Sequence, residues 1–498
     1  MKRHESSVWR PQGASTARKT AGDPSVAASP EAGGWRVLAR RGGENAERLL
    51  LLFQAAVVAR LLFLAVTRSF DHDELEAVHS AWKILHGERI YVDFLNQHHP
   101  LFYYVLAPII ALLGEGSGTI VVLRVAMVGV LVFILVVTYK IARLVFDRET
   151  AVVSTLFLST ALVFTQTAME IRPDVPQALC GVAAVFFLLR FFERRALRDL
   201  AVSGLMFGVS FLFLQKVLLL IVPAQVLLLW CVYKRDVRWL EVGVHLGFLA
   251  LPLLVYAAYV LAAGSGRSYV DCCWLINYRW NRNVTVVRNL SQSSAVFGSL
   301  QVNPALWGGY LFGAIFFAET PLRRRLTFLS IGVLAATFVR KPLAQDLILA
   351  VPLASVVSAH AVRSLLNDKV KLLVAVALSI ALPSLVLAFG EYRDNRAQRQ
   401  KIDYVLSIAR AAERVYDGDI RFNVFRKDID FAWFSVRPGG ALDIYRALTG
   451  YRYDVYAAID RMKPAVISEY GLSDPNDPRI SHYYVRSPRY DDLLIRAR

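Results

Sequence analysis

Long uninterrupted apolar blocks set what this chain can fold into. Residues 49–66, 119–139, 151–168, 175–192, 242–264 and 372–390 each approach or reach the roughly 20 residues that cross about 30 Å of hydrocarbon as α-helix. Shorter or weaker blocks follow at 200–214, 216–233, 304–318, 326–339 and 343–362. With 55% of its residues hydrophobic and grouped in this way, the sequence predicts a polytopic α-helical membrane protein of about 11 transmembrane helices. The block 100–114 is too short to span and reads as a re-entrant or interfacial helix.

A formal net charge of +17 would suit a nucleic-acid partner, but the positions of the cations argue for orientation in a bilayer instead. Basic residues populate the first 48 positions and then recur in alternate short loops, among them Lys140 and Arg143, Arg194 and Arg195, Lys234 and Arg235, Arg323 to Arg325, and Arg363. The positive-inside rule makes those loops cytoplasmic and the intervening ones outer. Three regions result: a disordered basic cytoplasmic tail (1–48), a transmembrane domain (49–390) whose outer loop 68–118 carries the acidic residues, and a small outward-facing α/β domain (391–498). In the last, "KIDYVLSIARAAERVY" and "GALDIYRALTG" read as helices, "IRFNVF" and "PAVISEY" as strands. The cysteines show no zinc-type spacing, and the adjacent Cys272 and Cys273 have poor disulfide geometry.

The chemistry concentrates on the outer side. The first outer loop holds Asp71, Asp73, Glu74, Glu76, Asp93 and the histidines His72, His79, His86, His98 and His99. Asp73 opens an amphipathic helix in which Leu75, Val78, Trp82 and Leu85 recur at helical spacing, with Gly87 as the stop. Asp73 followed by Glu76 has capping-box spacing, so Asp73 reads either as a helix cap or as a chemically active carboxylate. His72, His79 and His86 recur every seven residues, and imidazoles beside Asp71 or Glu76 admit a divalent metal; no cofactor is otherwise indicated. Asp174, with Arg172 two residues before it, lies at a membrane boundary, where an ionised side chain is costly and points to use. Lys216 interrupts "FLFLQKVLLLIVP"; with Arg340 and Lys341 it is a cation at headgroup depth, suited either to snorkelling or to a lipid phosphate.

The succession "HDELEAVHSAWKILHGERIYVDFLNQHHPLFYY", "RVAMVGVLVFILVVTYKIARLVFDRETA", "RPD", "LQKVLLLIVP" and "RKPLAQDLILAVPLA" resembles the GT-C superfamily of membrane glycosyltransferases, in particular the protein O-mannosyltransferase and lipid A aminoarabinose transferase type of bacteria. The resemblance implies transfer of a sugar from a polyprenyl-phosphate donor to a hydroxyl on a lipid, glycan or protein, at the outer face of the bacterial plasma membrane. It implies an Asp-Glu pair at Asp73 and Glu74 as catalytic residues, a second acidic position at Asp174, and donor-phosphate binding at Lys216. Arg172, Arg340, Lys341, His98 and His99 complete the expected substrate-binding set. A carboxylate accepting the hydroxyl proton, with cations stabilising the departing phosphate, would support a single inverting displacement. Two other classes compete: a transporter or flippase of a lipid-linked or anionic solute, and an inactive envelope scaffold.

Overall fold

The computed structural model describes residues 30–281, 301–316, 318–338, 344–366, 393–434 and 440–497. Its first half is a run of helices: α1 (Pro30–Thr67), α2 (His72–Leu85), α3 (Leu101–Leu113), α4 (Ser117–Val145), α5 (Arg148–Thr160), α6 (Leu162–Thr167), α7 (Asp174–Arg194), α8 (Leu197–Phe213), α9 (Leu218–Tyr233) and α10 (Trp239–Ala262). After short helical turns over residues 266–281 come α11 (Pro304–Phe316), α12 (Pro321–Thr337) and α13 (Val351–Leu365). Among the described residues, five segments are long and apolar enough to cross a bilayer: Leu50–Thr67, Ser117–Val145, Asp174–Arg194, Gln215–Tyr233 and Trp239–Ala262. Leu101–Leu113, Pro304–Phe316 and Val351–Leu365 are shorter apolar helices. The expected span at 372–390 lies outside the described residues.

One departure from the expected spans has a local cause. The block 151–168 is broken at Ala161, whose backbone is extended, into α5 and α6. Ser154, Thr155, Ser159 and Thr160 return hydrogen bonds to carbonyls three or four residues back, a habit that bends helices. The first helix begins at Pro30, inside the stretch read as an unstructured tail. Elsewhere small residues set the spacing. A Cβ on Gly204 would lie 2.2 Å from the His245 carbonyl oxygen, and one on Gly208 2.4 Å from that of Leu249, so α8 and α10 pack backbone to backbone.

The C-terminal part contains α14 (Arg396–Ile408) and four short strands, β1 (Val415–Tyr416), β2 (Val466–Ser468), β3 (Tyr484–Arg486) and β4 (Leu493–Arg496). The sheet order is β1-β2-β4-β3, with β1 and β2 parallel and the other pairs antiparallel. "PAVISEY" supplies β2, but "IRFNVF" is irregular: its backbone turns around Asp417, whose carboxylate accepts the amides of Arg421, Phe422 and Asn423. The sequence expected as one helix through Tyr416 stops at Ile408, and its end is β1. This part forms one compact unit with the helical bundle, residues Glu47–Arg498. Trp433 donates to the Leu95 carbonyl at 2.8 Å, and Ser117 donates to Asp403, so the contact is polar as well as apolar.

Candidate active site

The start of α2 organises the acidic loop. Asp71, not Asp73, is the helix cap: its backbone is extended, its carboxylate accepts the Asp73 amide at 3.0 Å, and Glu74 accepts the Asp71 amide at 2.8 Å. The capping box expected for Asp73 and Glu76 is therefore shifted by two residues. Glu74, three positions after Asp71, reaches back to the Asp71 amide, and Arg124 of α4 and the Ile171 amide hold the same carboxylate. Glu74 and Arg124 are both fully buried, and Arg124 also donates to the Ser69 carbonyl at 2.7 Å. Glu74 thus fastens α2 to α4 and to the loop before α7.

Freed from capping, the Asp73 carboxylate is about a third exposed (34%). It lies 2.6 Å from Arg172 and 3.0 Å from His72. Arg172 is the centre of the cluster: its guanidinium also approaches Glu170 at 3.6 Å, Asp174 at 3.6 Å and Asp71 at 3.7 Å. Asp174, the first residue of α7, is bonded by Lys216 at 2.9 Å, and Lys216 reaches Asp346 at 3.1 Å. Gln177 of α7 donates to the Leu214 carbonyl and accepts at its own carbonyl from Ser210, which pins the turn carrying Lys216 against the start of α7. The result is a continuous chain, Asp73, Arg172, Asp174, Lys216, Asp346, drawn from four segments distant in sequence.

Electrostatics differentiates the acids. Burial works to raise the Asp73 pKa, but the His72 hydrogen bond and the Arg172 charge hold it well below the usual carboxylate range. The same hydrogen bond raises His72 to about 9. Glu76 lies deeper, and burial, assisted by the Asp73 charge, pushes its pKa to about 8. Burial and the neighbouring Glu74 raise Glu170 to about 7. A carboxylate that is always ionised stands beside one that holds its proton near neutrality.

The histidines separate. His98 is adjacent to the cluster: burial, with help from Lys216 and Arg172 and against Asp73 and Asp174, lowers it to about 4, so it is neutral. Its backbone amide donates to Asn96, which in turn donates to Glu76 and Ser80. His99 instead packs among Phe211, Tyr269 and Trp274. His79 turns toward Asp428, and His86 toward the Trp82 carbonyl, so the heptad of histidines shares no metal site. Ligand atoms of Asp71, His72 and Asp73 do lie within 4.8 Å of one another, near enough to share a cation, but Arg172 already balances these two carboxylates. Arg340 and Lys341 lie outside the described residues.

Sequence reasoning missed Asp346, Glu170 and Arg124. Arg124 was legible as a lone cation within an apolar run, and Glu170 as an acid flanking Arg172 in "EIRPD". Asp346 closes the "RKPLAQD" stretch, where the two cations drew attention away from it.

Residues 97–261 match the family described as dolichyl-phosphate-mannose-protein mannosyltransferase. No curated protein matches the sequence significantly. Among solved structures, ArnT from Cupriavidus metallidurans bound to undecaprenyl phosphate superposes with a TM-score of 0.62 at 14% identity, over 90% of this chain and 97% of that one. Its apo state gives a TM-score of 0.63 over the same shares. The Archaeoglobus fulgidus oligosaccharyltransferase, in complex with zinc and sulfate, gives 0.54 at 14% identity, over 90% of this chain and 73% of that one. Over residues 97–261 this chain therefore resembles the dolichyl-phosphate-mannose-protein mannosyltransferase family, and over 90% of its length it shares the fold of ArnT and of the archaeal oligosaccharyltransferase.

Proposed function

We propose that the protein transfers a sugar from a polyprenyl-phosphate donor to a hydroxyl group of a lipid, glycan or protein at the outer face of the bacterial plasma membrane. The observation that carries this reading is the chain from the open Asp73 through Arg172 and Asp174 to Lys216. It offers a base and a phosphate-binding pair of cations within one cluster. The likeness to a fold whose solved example holds undecaprenyl phosphate supports a lipid-linked donor.

In this mechanism the acceptor oxygen attacks the anomeric carbon while the bond from that carbon to the phosphate oxygen breaks. The hydroxyl proton passes to Asp73, and the lipid phosphate leaves with one more negative charge. Lys216 and Arg172 stabilise that charge without protonating it. At rest the two cations lie on Asp73, Asp174 and Asp346; a donor phosphate would draw them away. That removes from Asp73 part of the positive charge that depresses its basicity, so the base strengthens as the donor binds. Glu74 and Asp71 position the helix, and His98, neutral, lines the cluster. Single-turnover transfer from a polyprenyl-phosphate sugar to a hydroxyl acceptor, by the purified protein in nanodiscs, tests the proposal. Absence of transfer with any such donor, by a protein that binds lipid phosphate, would overturn it in favour of a transporter.

A further inference from the structure

Helices α9 and α12 meet closely near one end and enclose a cavity at the other. Where they meet, a Cβ on Gly332 would lie 2.6 Å from the Pro223 side chain. Toward Tyr233 and Pro321 a cavity of about 440 Å³ opens between them, lined by Trp230, Lys234, Asp236, Arg324, Arg325 and Phe328 among others. Because α9 starts beside Lys216, sixteen residues put this cavity roughly 24 Å along the helix axis from the acidic cluster, at the opposite end of the bundle. Trp230, Tyr233 and Trp239 are all more than half exposed at this level, as aromatic side chains are at headgroup depth.

The lining charges are unbalanced. Three cations face a single carboxylate, Asp236, and Arg325 binds that carboxylate at 3.1 Å while resting 4.1 Å from the Phe192 ring. Lys234 sits 5.0 Å from the Trp230 ring, and neither it nor the exposed Arg324 meets a carboxylate among the described residues. The lipid-facing side of α9 above the cavity is an exposed apolar stripe that includes Val226 and Leu229. An occupant that satisfies both features carries a phosphate and acyl chains, with no cation of its own to oppose Lys234 and Arg324.

We propose that this cavity binds the phosphate of an anionic phospholipid, with Lys234 and Arg324 as its partners and an acyl chain along the α9 stripe. The site is separate from the catalytic cluster and independent of the reaction assigned to it. Full-length protein in neutral detergent is titrated with phosphatidylglycerol and with phosphatidylcholine, and bound lipid is counted by native mass spectrometry. The expected result is preferential retention of phosphatidylglycerol, weakened roughly tenfold or more in the Lys234→Gln/Arg324→Gln protein, with phosphatidylcholine adducts unchanged. Should the double variant fold poorly, Arg324→Glu, at an exposed side chain, must give the same loss. Equal retention of the two lipids, or retention insensitive to these substitutions, overturns the proposal. So does a polyprenyl phosphate that displaces phosphatidylglycerol from the wild type in a manner that depends on Lys234 and Arg324.

Discussion

The carboxylate of Asp71 accepts the backbone amide of Asp73 at 3.0 Å, and this one bond divides the labour between two neighbouring aspartates. Asp71 is engaged in holding the helix start, which leaves Asp73 partly open and facing Arg172 and His72. Asp73→Asn should therefore lower single-turnover transfer by ~10²–10⁴-fold while donor affinity is kept or raised, because Arg172 loses a competing carboxylate. Asp71→Asn should be mild, because asparagine caps as well as aspartate, whereas Asp71→Ala should cost about 1 kcal/mol of stability. If Asp73→Asn turns over normally and Asp71→Asn does not, the two roles are reversed.

Lys216 bridges Asp174 and Asp346, so in the proposed mechanism a donor phosphate would compete with two carboxylates for it. Lys216→Gln should weaken donor binding by about 1.5–3 kcal/mol, one to two decades in affinity. Asp346→Asn removes one competitor and should move affinity the other way. Equilibrium binding of a polyprenyl phosphate measures both. A fall in affinity for both variants would mean that the triad only maintains the local fold.

How much of this was legible varies with the kind of signal. Apolar blocks located most of the described helices, because hydrocarbon thickness writes itself into sequence as run length. Asp73, Asp174, Arg172 and Lys216 were each marked by position at a span boundary, and the fold brings them together. What remained hidden was partnership. That Glu74 meets Arg124 fifty residues on, or that Lys216 meets Asp346, depends on packing between α2, α4, α7 and the turn before α9, which no local pattern encodes. The cap was misplaced for the same reason: both acidic spacings fit a capping box, and the contacts of Glu74 with Arg124 and the Ile171 amide are tertiary.

Glu76 gives the clearest pH dependence. Its carboxyl is buried, accepts a hydrogen bond from Asn96 at 3.0 Å, and titrates near 8 because burial, and then the Asp73 charge, disfavour its ionised form. Between its unfolded value near 4.5 and about 8 the folded protein binds the extra proton, so stability falls as pH rises through that window, by up to ~1.4 kcal/mol per unit. Glu76→Gln keeps the acceptor and removes the titration. Its melting temperature in detergent should match the wild type near pH 5 and exceed it at pH 8. Parallel melting curves of the two proteins across that range would mean that Glu76 is ionised throughout.

The far part of α2 is tied to the C-terminal part by a buried charge cluster. His79 meets Asp428 at 2.9 Å, Lys83 also pairs with Asp428, and Asn423 donates to its other oxygen at 2.9 Å. Lys83 is 1% exposed and lies over the rings of Phe94 and Trp433 at 4.8 and 4.3 Å, so its charge is compensated mainly by Asp428. Removing one partner of such a pair leaves a buried charge uncompensated, which costs about 3–5 kcal/mol, far more than an exposed pair contributes. Asp428→Asn should therefore lower the melting temperature strongly. Because Asp73 sits on the same helix, ten residues or ~15 Å away, loosening this end should also reduce turnover through the set of α2. The double variant Asp428→Asn/Lys83→Met removes both charges and keeps the apolar contact with the two rings, so it should recover most of the stability. Recovery of stability with turnover still depressed would place the effect in the orientation of α2; an Asp428→Asn protein as stable as the wild type would show that Lys83 finds another partner.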